Sequence, residues 1–236
     1  MKTLLVVLPT YNELPNLERV ADGILRHPWA RLLVVDDGSP DGTGRLADEL
    51  AARSGGRMSV LHRTGPRGLG RAYVDGLRQA LGSTADAVGQ MDADLSHDPV
   101  YLPDLMAGLD QADVVIGSRY LHGVSVVNWP LHRLALSVFA NRYARVITRL
   151  TPRDCTSGFR CWRREALARI PLERIRSEGY AFLVEMLYEA VRAGCRVEEI
   201  PIVFVERRHG TSKLSKAVLL EAAATPWRLV ARDLVR

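Results

Sequence analysis

Residues 32–43 read Leu32-Leu33-Val34-Val35-Asp36-Asp37-Gly38-Ser39-Pro40-Asp41-Gly42-Thr43, an apolar run followed by a polar turn. Four consecutive apolar residues are typical of a strand that is buried on both faces. Asp, Gly, Ser and Pro favour turns, and Asp41 or Thr43 can cap a helix that the pattern predicts over Thr43–Arg53. The order strand, polar turn, helix is the repeating unit of α/β folds.

The same unit recurs through the first half of the chain. The patterns predict further strands at Thr3–Leu8, Ser59–His62, Ala87–Met91 and Val114–Gly117, and helices at Leu14–Leu25 and Leu69–Leu81. This alternation predicts an α/β fold, a mostly parallel sheet with helices on both faces. In such sheets ligands bind beyond the carboxyl ends of the strands. Three of these ends carry acidic polar clusters, at 9–13, 36–41 and 92–97.

The second half of the chain has a different pattern. Helices are predicted at Trp129–Leu150, Tyr180–Ala193 and about Leu214–Leu234, and Val197–Val205 is predicted as one strand. Pro201 would confine that strand to a sheet edge or a bulge. The polar, Gly-containing segment Asp154–Arg160 is unlike a core strand, and it fits either a surface turn or a substrate loop. No Gly-, Ser- or Pro-rich linker divides the chain, which favours one domain.

Composition narrows the class of protein. Apolar residues make up 47% of the chain and charged residues 25%, as in ordinary globular proteins. No apolar run approaches the ~20 residues that a membrane span requires. The three cysteines form no CxxC pair, which favours reduced thiols over a disulfide framework or a zinc site. A net charge of +5 favours anionic partners, but 6% aromatic residues and no sustained basic stripe argue against nucleic acid.

Asp92 and Asp94 follow the predicted strand Ala87–Met91 directly. Because a strand alternates its faces, both carboxylates would project to the same side and need a cation or strong donors nearby. Hard oxygen ligands suit Mg²⁺ or Mn²⁺, particularly when a diphosphate supplies the remaining oxygens. A calcium loop is disfavoured because it needs Gly and Glu where this chain has His97 and Pro103. The remaining alternative is a solvated loop without function.

Basic residues in three places suit anionic ligands. Arg119 follows a predicted strand, and Arg133 and Ser137 lie one turn apart on a predicted helix. Arginine forks bind phosphate oxygens well, although a solvated surface residue is the alternative for each. The run 206–213 lacks the GxxxxGK[ST] pattern of a Walker A loop, and it is predicted to be a mobile lid. Asp36 is predicted to accept a hydrogen bond from a ribose hydroxyl or a base.

Seven segments occur in a distinctive order. They are PTYNE at 9–13, DDGSPDGT at 36–43, DADLSH at 92–97, GSRY at 117–120, NWP at 128–130, SGF at 157–159 and ERRHGTSKLSK at 206–216. Taken together, these segments closely resemble family 2 glycosyltransferases of the dolichyl- or polyprenyl-phosphate mannose synthase group. The resemblance covers almost the whole chain.

The resemblance implies a GT-A fold and a reaction. Residues 1–120 would form a nucleotide-sugar-binding half and 121–236 an acceptor half of one domain, 1–236. Mannose would pass from GDP-mannose to a polyprenyl (dolichyl-type) phosphate with inversion. The alternatives are transfer of glucose from UDP-glucose, or of another sugar, to the same lipid, and a non-catalytic nucleotide-sugar-binding subunit. Mg²⁺ or Mn²⁺ would be the cofactor.

The resemblance also assigns site residues. Asp94 would ligate the metal, with Ser96 at a position where some relatives carry a Gln ligand. Arg119 and Arg133 would act with Asp94 in catalysis, and together with Ser137 they would hold the acceptor phosphate. The donor-binding residues would be Pro9, Tyr11, Glu13, Val34, Asp36, Asp92, Ala93, Asp94, Arg207 and Lys213.

The lipid acceptor implies a membrane location. We expect no transmembrane helix and a peripheral position at the cytoplasmic face of a membrane, or a separate membrane-anchoring protein. The predicted last helix combines Leu219, Leu220 and Trp227 with Arg228 and Arg232, as helices in a membrane interface do. An ordinary amphipathic helix packed on the domain is the alternative.

Overall fold

A computed structural model describes residues 2–206 and 216–234, without the side chains of 216–218 and 234. The strands are β1 Leu4–Thr10, β2 Ala30–Asp36, β3 Met58–His62, β4 Ala87–Gln90, β5 Val114–Ser118, β6 Val126–Val127, β7 Arg160–Arg163, β8 Val197–Pro201 and β9 Phe204–Val205. The α-helices are α1 Leu17–Leu25, α2 Thr43–Arg53, α3 Leu69–Leu81, α4 Leu102–Gly108, α5 Leu131–Thr148, α6 Arg164–Ala168, α7 Gly179–Arg192 and α8 Lys216–Leu234.

Seven of these strands form one mostly parallel sheet, which confirms the predicted fold class. The strand order is β3-β2-β1-β4-β7-β5-β8, and β7 alone within it is antiparallel to both of its neighbours. In the parallel register Thr10 lies opposite Asp36, and Asp36 lies opposite His62. The carboxyl ends of β1 and β2 are therefore level, and β4 ends beside β1.

The prediction for Asp154–Arg160 requires a correction. The segment is not a surface turn, because Asp154, Phe159 and Arg160 are all fully buried, and Arg160 begins β7 in the middle of the sheet. The Arg160 guanidinium donates hydrogen bonds of 2.8 Å to the backbone carbonyls of Ser157, Cys155 and Leu183. Main-chain acceptors thus satisfy a buried cation that the sequence pattern assigned to solvent.

The prediction of one strand over Val197–Val205 is also wrong. The segment forms β8, which pairs with β5 at the sheet edge as Pro201 indicated, and β9, which pairs with β6 in a separate two-stranded sheet. This short sheet pairs the segment before α5 with residues 204–206. Within the described residues, the second half of the chain contributes β7 and β8 to the main sheet.

The two faces of the sheet carry separate apolar cores. Val7 and Val35 face a core that includes Phe182 of α7, whereas Leu8 and Val34 face a core built with α1, α2 and α4. This division follows from the alternation of side chains along each strand. The three cysteines are buried and unpaired, and burial raises the pKa of the Cys155 and Cys161 thiols to about 12.

Helix α3 lies unusually close to the sheet. A Cβ at Gly76 would be 2.5 Å from Cγ1 of Val7 and 2.7 Å from Cγ2 of Val35, so only glycine fits there. This close packing fixes the position of Tyr73, which is one helical turn earlier and fully buried. In the described ranges, no helix is both long enough and apolar enough to cross a membrane.

Candidate active site

Two loops at the carboxyl ends of β1 and β2 are tied together. The backbone N–H of Asn12 donates to Oγ of Ser39 (3.1 Å), and that of Glu13 donates to Oγ1 of Thr43 (2.9 Å). Asn12 has a φ of 61°, in the left-handed region that Asn tolerates better than most residues. These bonds bring together the segments of four predicted donor residues, Pro9, Tyr11, Glu13 and Asp36.

Asp36 and Asp37 organise this edge of the sheet. Asp36 is 5% exposed, and its Oδ1 accepts from Oγ of Ser39 at 2.6 Å. Asp37 is paired with Arg63 and also accepts from the backbone N–H of Gly68 at 2.8 Å. Both carboxylates therefore order loops, and the ribose or base contact of Asp36 stays a prediction.

The loop before α3 was not singled out by the sequence analysis, yet it lies against a predicted donor residue. The Arg67 guanidinium is 4.9 Å from the centroid of the Tyr11 ring, and it donates a hydrogen bond to the Tyr11 hydroxyl. Glu178 accepts from the backbone N–H of Gly70 (2.9 Å) and caps α3 from another part of the chain. The available signal was the sequence Gly65-Pro66-Arg67-Gly68 directly before a predicted helix.

In the loop after β4, Asp92 is held by hydrogen bonds to the side chains of Tyr73 and His97, whereas Asp94 is held by its neighbour Ser96. The Tyr73 hydroxyl donates to Oδ1 of Asp92 at 2.8 Å, and the Asp92 N–H donates to Nδ1 of His97 at 3.1 Å. Burial and the nearby Asp92 charge raise the pKa of Tyr73 well above its usual value, so Tyr73 stays a donor. Asp94 Oδ1 accepts from both the N–H and the hydroxyl of Ser96.

This loop fits a divalent cation that a ligand helps to coordinate. Among residues 2–206 and 216–234, no group of three His, Cys, Asp or Glu side chains converges as a metal site. Mg²⁺ and Mn²⁺ do not require such a group, since Mg²⁺ commonly takes one or two carboxylates and completes its shell with phosphates and water. Ser96 is 2% exposed and its hydroxyl donates to Asp94, so it orients that carboxylate. A direct bond from Ser96 to metal stays a prediction.

A buried ion pair lies at the centre of the predicted acceptor side. Nε of Arg119 donates to Oδ2 of Asp154 and Nη2 donates to Oδ1, each at 2.6 Å. Nη2 also donates to Oγ1 of Thr156 at 2.8 Å. Burial alone would raise the pKa of Asp154, but the Arg119 charge and its hydrogen bonds hold that pKa below its usual value. Within the described parts of the chain, Nη1 of Arg119 makes no hydrogen bond.

Aromatic rings join the predicted acceptor residues into one cluster. The centroid of the Trp129 ring is 5.7 Å from the guanidinium of Arg119 and 4.4 Å from that of Arg133. Arg133 is paired with Glu206, and Ser137 accepts a 2.8 Å hydrogen bond from the Tyr120 hydroxyl. The structure thus brings Arg119, Arg133 and Ser137 together, and it gives Trp129 a role that the NWP motif alone did not indicate.

The Phe204 ring connects the predicted donor and acceptor sides. His97 contacts the Phe204 ring edge-on at 5.6 Å, and the Arg119 guanidinium lies 5.4 Å from the same ring. Asp92, bonded to His97, is therefore separated from Arg119 by only two side chains. This arrangement places a carboxylate loop and a cationic cluster at one end of the sheet.

Four further predicted donor residues are either buried or outside the described residues. Val34 is fully buried in the core under α1 and α2, and Ala93 is 4% exposed. Their contacts with a nucleotide stay predictions. Arg207 and Lys213, predicted to hold donor phosphates, lie outside the described residues.

Comparisons with known proteins agree with this geometry. The family described as Glycosyl transferase family 2 matches residues 5–170. The chain is 46% identical over 221 residues to a polyprenol monophosphomannose synthase of Mycolicibacterium smegmatis, covering 92% of this chain and 83% of the relative. It is 43% identical over 235 residues to an undecaprenyl-phosphate mannosyltransferase of Micrococcus luteus, covering 97% and 95%.

Solved structures share the fold at lower identity. A glucosyl-3-phosphoglycerate synthase from Mycobacterium tuberculosis in complex with UDP superposes with a TM-score of 0.68 at 22% identity, over 98% of this chain and 80% of the other. The same enzyme with Mn²⁺, UDP and glucosyl-3-phosphoglycerate gives a TM-score of 0.65 at 23% identity, over 99% and 79%.

The Arg119–Asp154 pair gives a stability prediction. Asp154→Asn leaves a buried guanidinium without its counter-charge, and we expect a loss of about 3–5 kcal/mol in the free energy of unfolding. The double variant Arg119→Met with Asp154→Leu removes both charges and should lose clearly less. Urea denaturation measures all three proteins. Equal losses in the single and double variants would contradict a coupled pair.

The same pair has a pH signature. Because the folded pKa of Asp154 lies below its unfolded value, its stabilisation is complete above the unfolded pKa of about 3.9. It is lost as the pH falls through the folded pKa. The wild-type protein should therefore lose more stability than Asp154→Asn when urea denaturation is repeated at falling pH.

Proposed function

The chain belongs to glycosyl transferase family 2 and is a glycosyltransferase, and from this premise we propose that it transfers mannose from GDP-mannose to a polyprenyl phosphate. The observation that carries the proposal is the contact chain Asp92, His97, Phe204, Arg119, which sets a carboxylate loop beside an arginine cluster. A sugar diphosphate and a lipid phosphate would then meet at one place. The names of the two mannosyltransferase relatives support mannose and a polyprenyl phosphate.

On the donor side, the nucleoside would bind between the β1 and β2 loops. Tyr11, Glu13 and Asp36 are the residues proposed to contact it, and Arg67 covers the Tyr11 ring. Asp94, with Asp92 beside it, would hold Mg²⁺ or Mn²⁺ against the diphosphate. A bound divalent cation neutralises charge that builds on a leaving diphosphate. The Mn²⁺ and UDP of a solved neighbour support this choice of cofactor.

On the acceptor side, the arginines would bind and orient the lipid phosphate. Arg133 is 17% exposed at its side chain, and Nη1 of Arg119 is the donor that Asp154 does not use. Two guanidinium groups suit the oxygens of a phosphate monoester. Trp129 favours both cations near one ring through cation–π contacts.

The acceptor needs no general base. A phosphate monoester has a second pKa of about 6, so its oxygen is already a competent nucleophile near neutral pH. The buried His97 is consistent with this, since it is 2% exposed and its Nδ1 already accepts the Asp92 N–H. Direct attack would invert the anomeric centre and give a β-linked mannosyl phosphate from an α-linked donor.

A second donor has an observation in its favour. The solved neighbours include a glucosyl-3-phosphoglycerate synthase in complex with Mn²⁺ and UDP-glucose, at 22% identity. Transfer of glucose from UDP-glucose to the same lipid phosphate is therefore the alternative that the assay must include.

We propose a peripheral position at the cytoplasmic face of a membrane. Apolar side chains of α5 and α8 face solvent, with Leu131 at 83%, Val146 at 72%, Phe139 at 65% and Leu220 at 72% exposure. The two helices are joined where the Trp227 indole N–H donates to the Tyr143 hydroxyl at 2.9 Å. From the sequence, only the last helix is a membrane candidate; α5, which carries Arg133 and Ser137, extends that surface.

The donor assay is the direct test of function. Purified protein with Mn²⁺ and undecaprenyl phosphate should label the lipid from radioactive GDP-mannose and not from UDP-glucose. Asp94→Asn should lose about 10²–10³-fold in rate, because the site loses a charge that balances the leaving group. Circular dichroism checks that the variant folds. If only UDP-glucose labels the lipid, the donor is UDP-glucose and the GDP-mannose proposal is wrong. If Asp94→Asn keeps wild-type activity, the proposed role of Asp94 is wrong.

A vesicle assay tests the membrane proposal. The double variant Leu131→Glu with Phe139→Glu should sediment less with anionic phospholipid vesicles than wild type does, because it places charge on the surface proposed to enter the interface. Val100, which is 62% exposed outside α5 and α8, provides the matched control Val100→Glu. Equal sedimentation of all three proteins would contradict the proposed surface.

A further inference from the structure

The loop that carries Asp92 and Asp94 is held in an unfavourable backbone conformation. Leu95 has a φ of 65°, in the left-handed region that a residue with a bulky side chain seldom adopts. Such a conformation persists only where the surrounding structure imposes it. At this turn the N–H of Ser96 reaches Oδ1 of Asp94 at 3.1 Å, so the strained residue is part of how Asp94 is oriented.

One side chain closes this loop across the strained residue. His97 is 2% exposed, and its Nδ1 lies 3.1 Å from the backbone nitrogen of Asp92. A backbone N–H can only donate, so Nδ1 is the acceptor of this bond. The distance from Nδ1 to Oδ2 of Asp92 is 3.9 Å, too long for a hydrogen bond to the carboxylate. The imidazole therefore holds the main chain of Asp92. The Asp92 carboxylate accepts a hydrogen bond from Tyr73 and can also bind a ligand.

The imidazole ring itself is fixed from several sides. Phe159 stacks on it with centroids 5.0 Å apart and planes 15° from parallel, and Phe204 meets it edge-on at 5.6 Å. A Cβ at Gly158 would be 3.4 Å from Cε1 of His97 and 3.4 Å from both carboxylate oxygens of Asp92. The segment 157–159 thus packs directly against the ring and the carboxylate.

From this geometry we infer that His97 is a positioning residue, which holds the Asp92 backbone so that the strained loop presents both carboxylates to a metal-bound diphosphate. The inference rests on the proposed function for the identity of that ligand. The hydrogen bond from the Asp92 N–H to Nδ1 of His97 forms without any ligand, so it can be tested independently of that function. A histidine that merely filled the core would need only its volume, whereas a positioning residue needs an acceptor at Nδ1.

Two substitutions separate these possibilities. His97→Asn retains an acceptor, because the amide oxygen of Asn occupies nearly the place of Nδ1. His97→Leu retains apolar volume and removes the acceptor. Position 97 is 2% exposed, so we expect neither substitution to contact a substrate directly. Thermal unfolding of both variants establishes that each is folded before any other comparison.

The first measurement needs no ligand. Amide hydrogen exchange of Asp92, followed by NMR on the uniformly ¹⁵N-labelled protein, reports directly on the bond to Nδ1. We expect the Asp92 amide to exchange at least tenfold faster in His97→Leu, with His97→Asn remaining near wild type. The amide of Val7, deep in β1, serves as the internal reference for global unfolding.

The second measurement reports the consequence for the site. Calorimetry with GDP in the presence of Mn²⁺ should show binding about 10- to 100-fold weaker in His97→Leu, the usual cost of losing a residue that orients a metal ligand. His97→Asn should recover most of that affinity. In the His97→Leu background, Leu95→Gly should restore part of it, since glycine adopts the left-handed conformation without strain.

The outcomes distinguish this inference from the proposed function. If His97→Leu changes neither the Asp92 exchange nor the Mn²⁺-dependent GDP binding, the inference is overturned. Equal changes in Asp92 exchange and in GDP affinity in His97→Asn and His97→Leu would also overturn it. Ring packing, and not the acceptor at Nδ1, would then be what the site needs. Wild-type protein that binds no GDP would contradict the GDP-mannose donor. If the Asp92 amide still exchanges faster in His97→Leu than in His97→Asn, the positioning role of His97 is retained.

Discussion

The parallel register of β1 with β2 and β4 is the constraint on which the whole site depends. Parallel pairing sets Thr10 opposite Asp36, and it leaves Asp92 just beyond the neighbouring strand. Each face of these strands is covered by its own apolar core, so a shift in register would displace closely packed side chains on both faces. The acidic loops can therefore be short and still meet, because the sheet fixes where each one begins.

Buried polar groups then convert that edge into a shaped site. Tyr73 and His97 hold Asp92 by its side chain and its backbone, respectively, and Asp154 holds Arg119 from within the core. Each of these groups costs free energy to bury, and each has a hydrogen-bond partner that offsets the cost. The aromatic rings of Phe204 and Trp129 pack between these groups, so the carboxylate loop and the arginine cluster form one connected structure.

Local sequence patterns predicted the elements well and the buried polar network poorly. Helices α2 and α3 have the predicted bounds, because glycines and apolar periodicity are local signals. The N-cap of α2 is Gly42, so the expectation that Asp41 or Thr43 occupies that position was wrong. The Asp154–Arg160 segment was misjudged, since the carbonyl groups that satisfy Arg160 include that of Leu183, far along the chain. Tyr73 and Trp129 went unnoticed as site residues for the same reason. An aromatic residue at helical spacing looks like core until its distant partner is known.

Metal and diphosphate binding at the Asp92–Asp94 loop is the central claim, and one crystallographic measurement tests it most directly. Crystals grown with GDP and Mn²⁺ would be measured at the manganese absorption edge to locate the ion by its anomalous scattering. We expect one strong peak in bonding contact with a carboxylate oxygen of Asp94 and with the diphosphate. A manganese peak elsewhere, or a diphosphate bound away from this loop, would contradict the account.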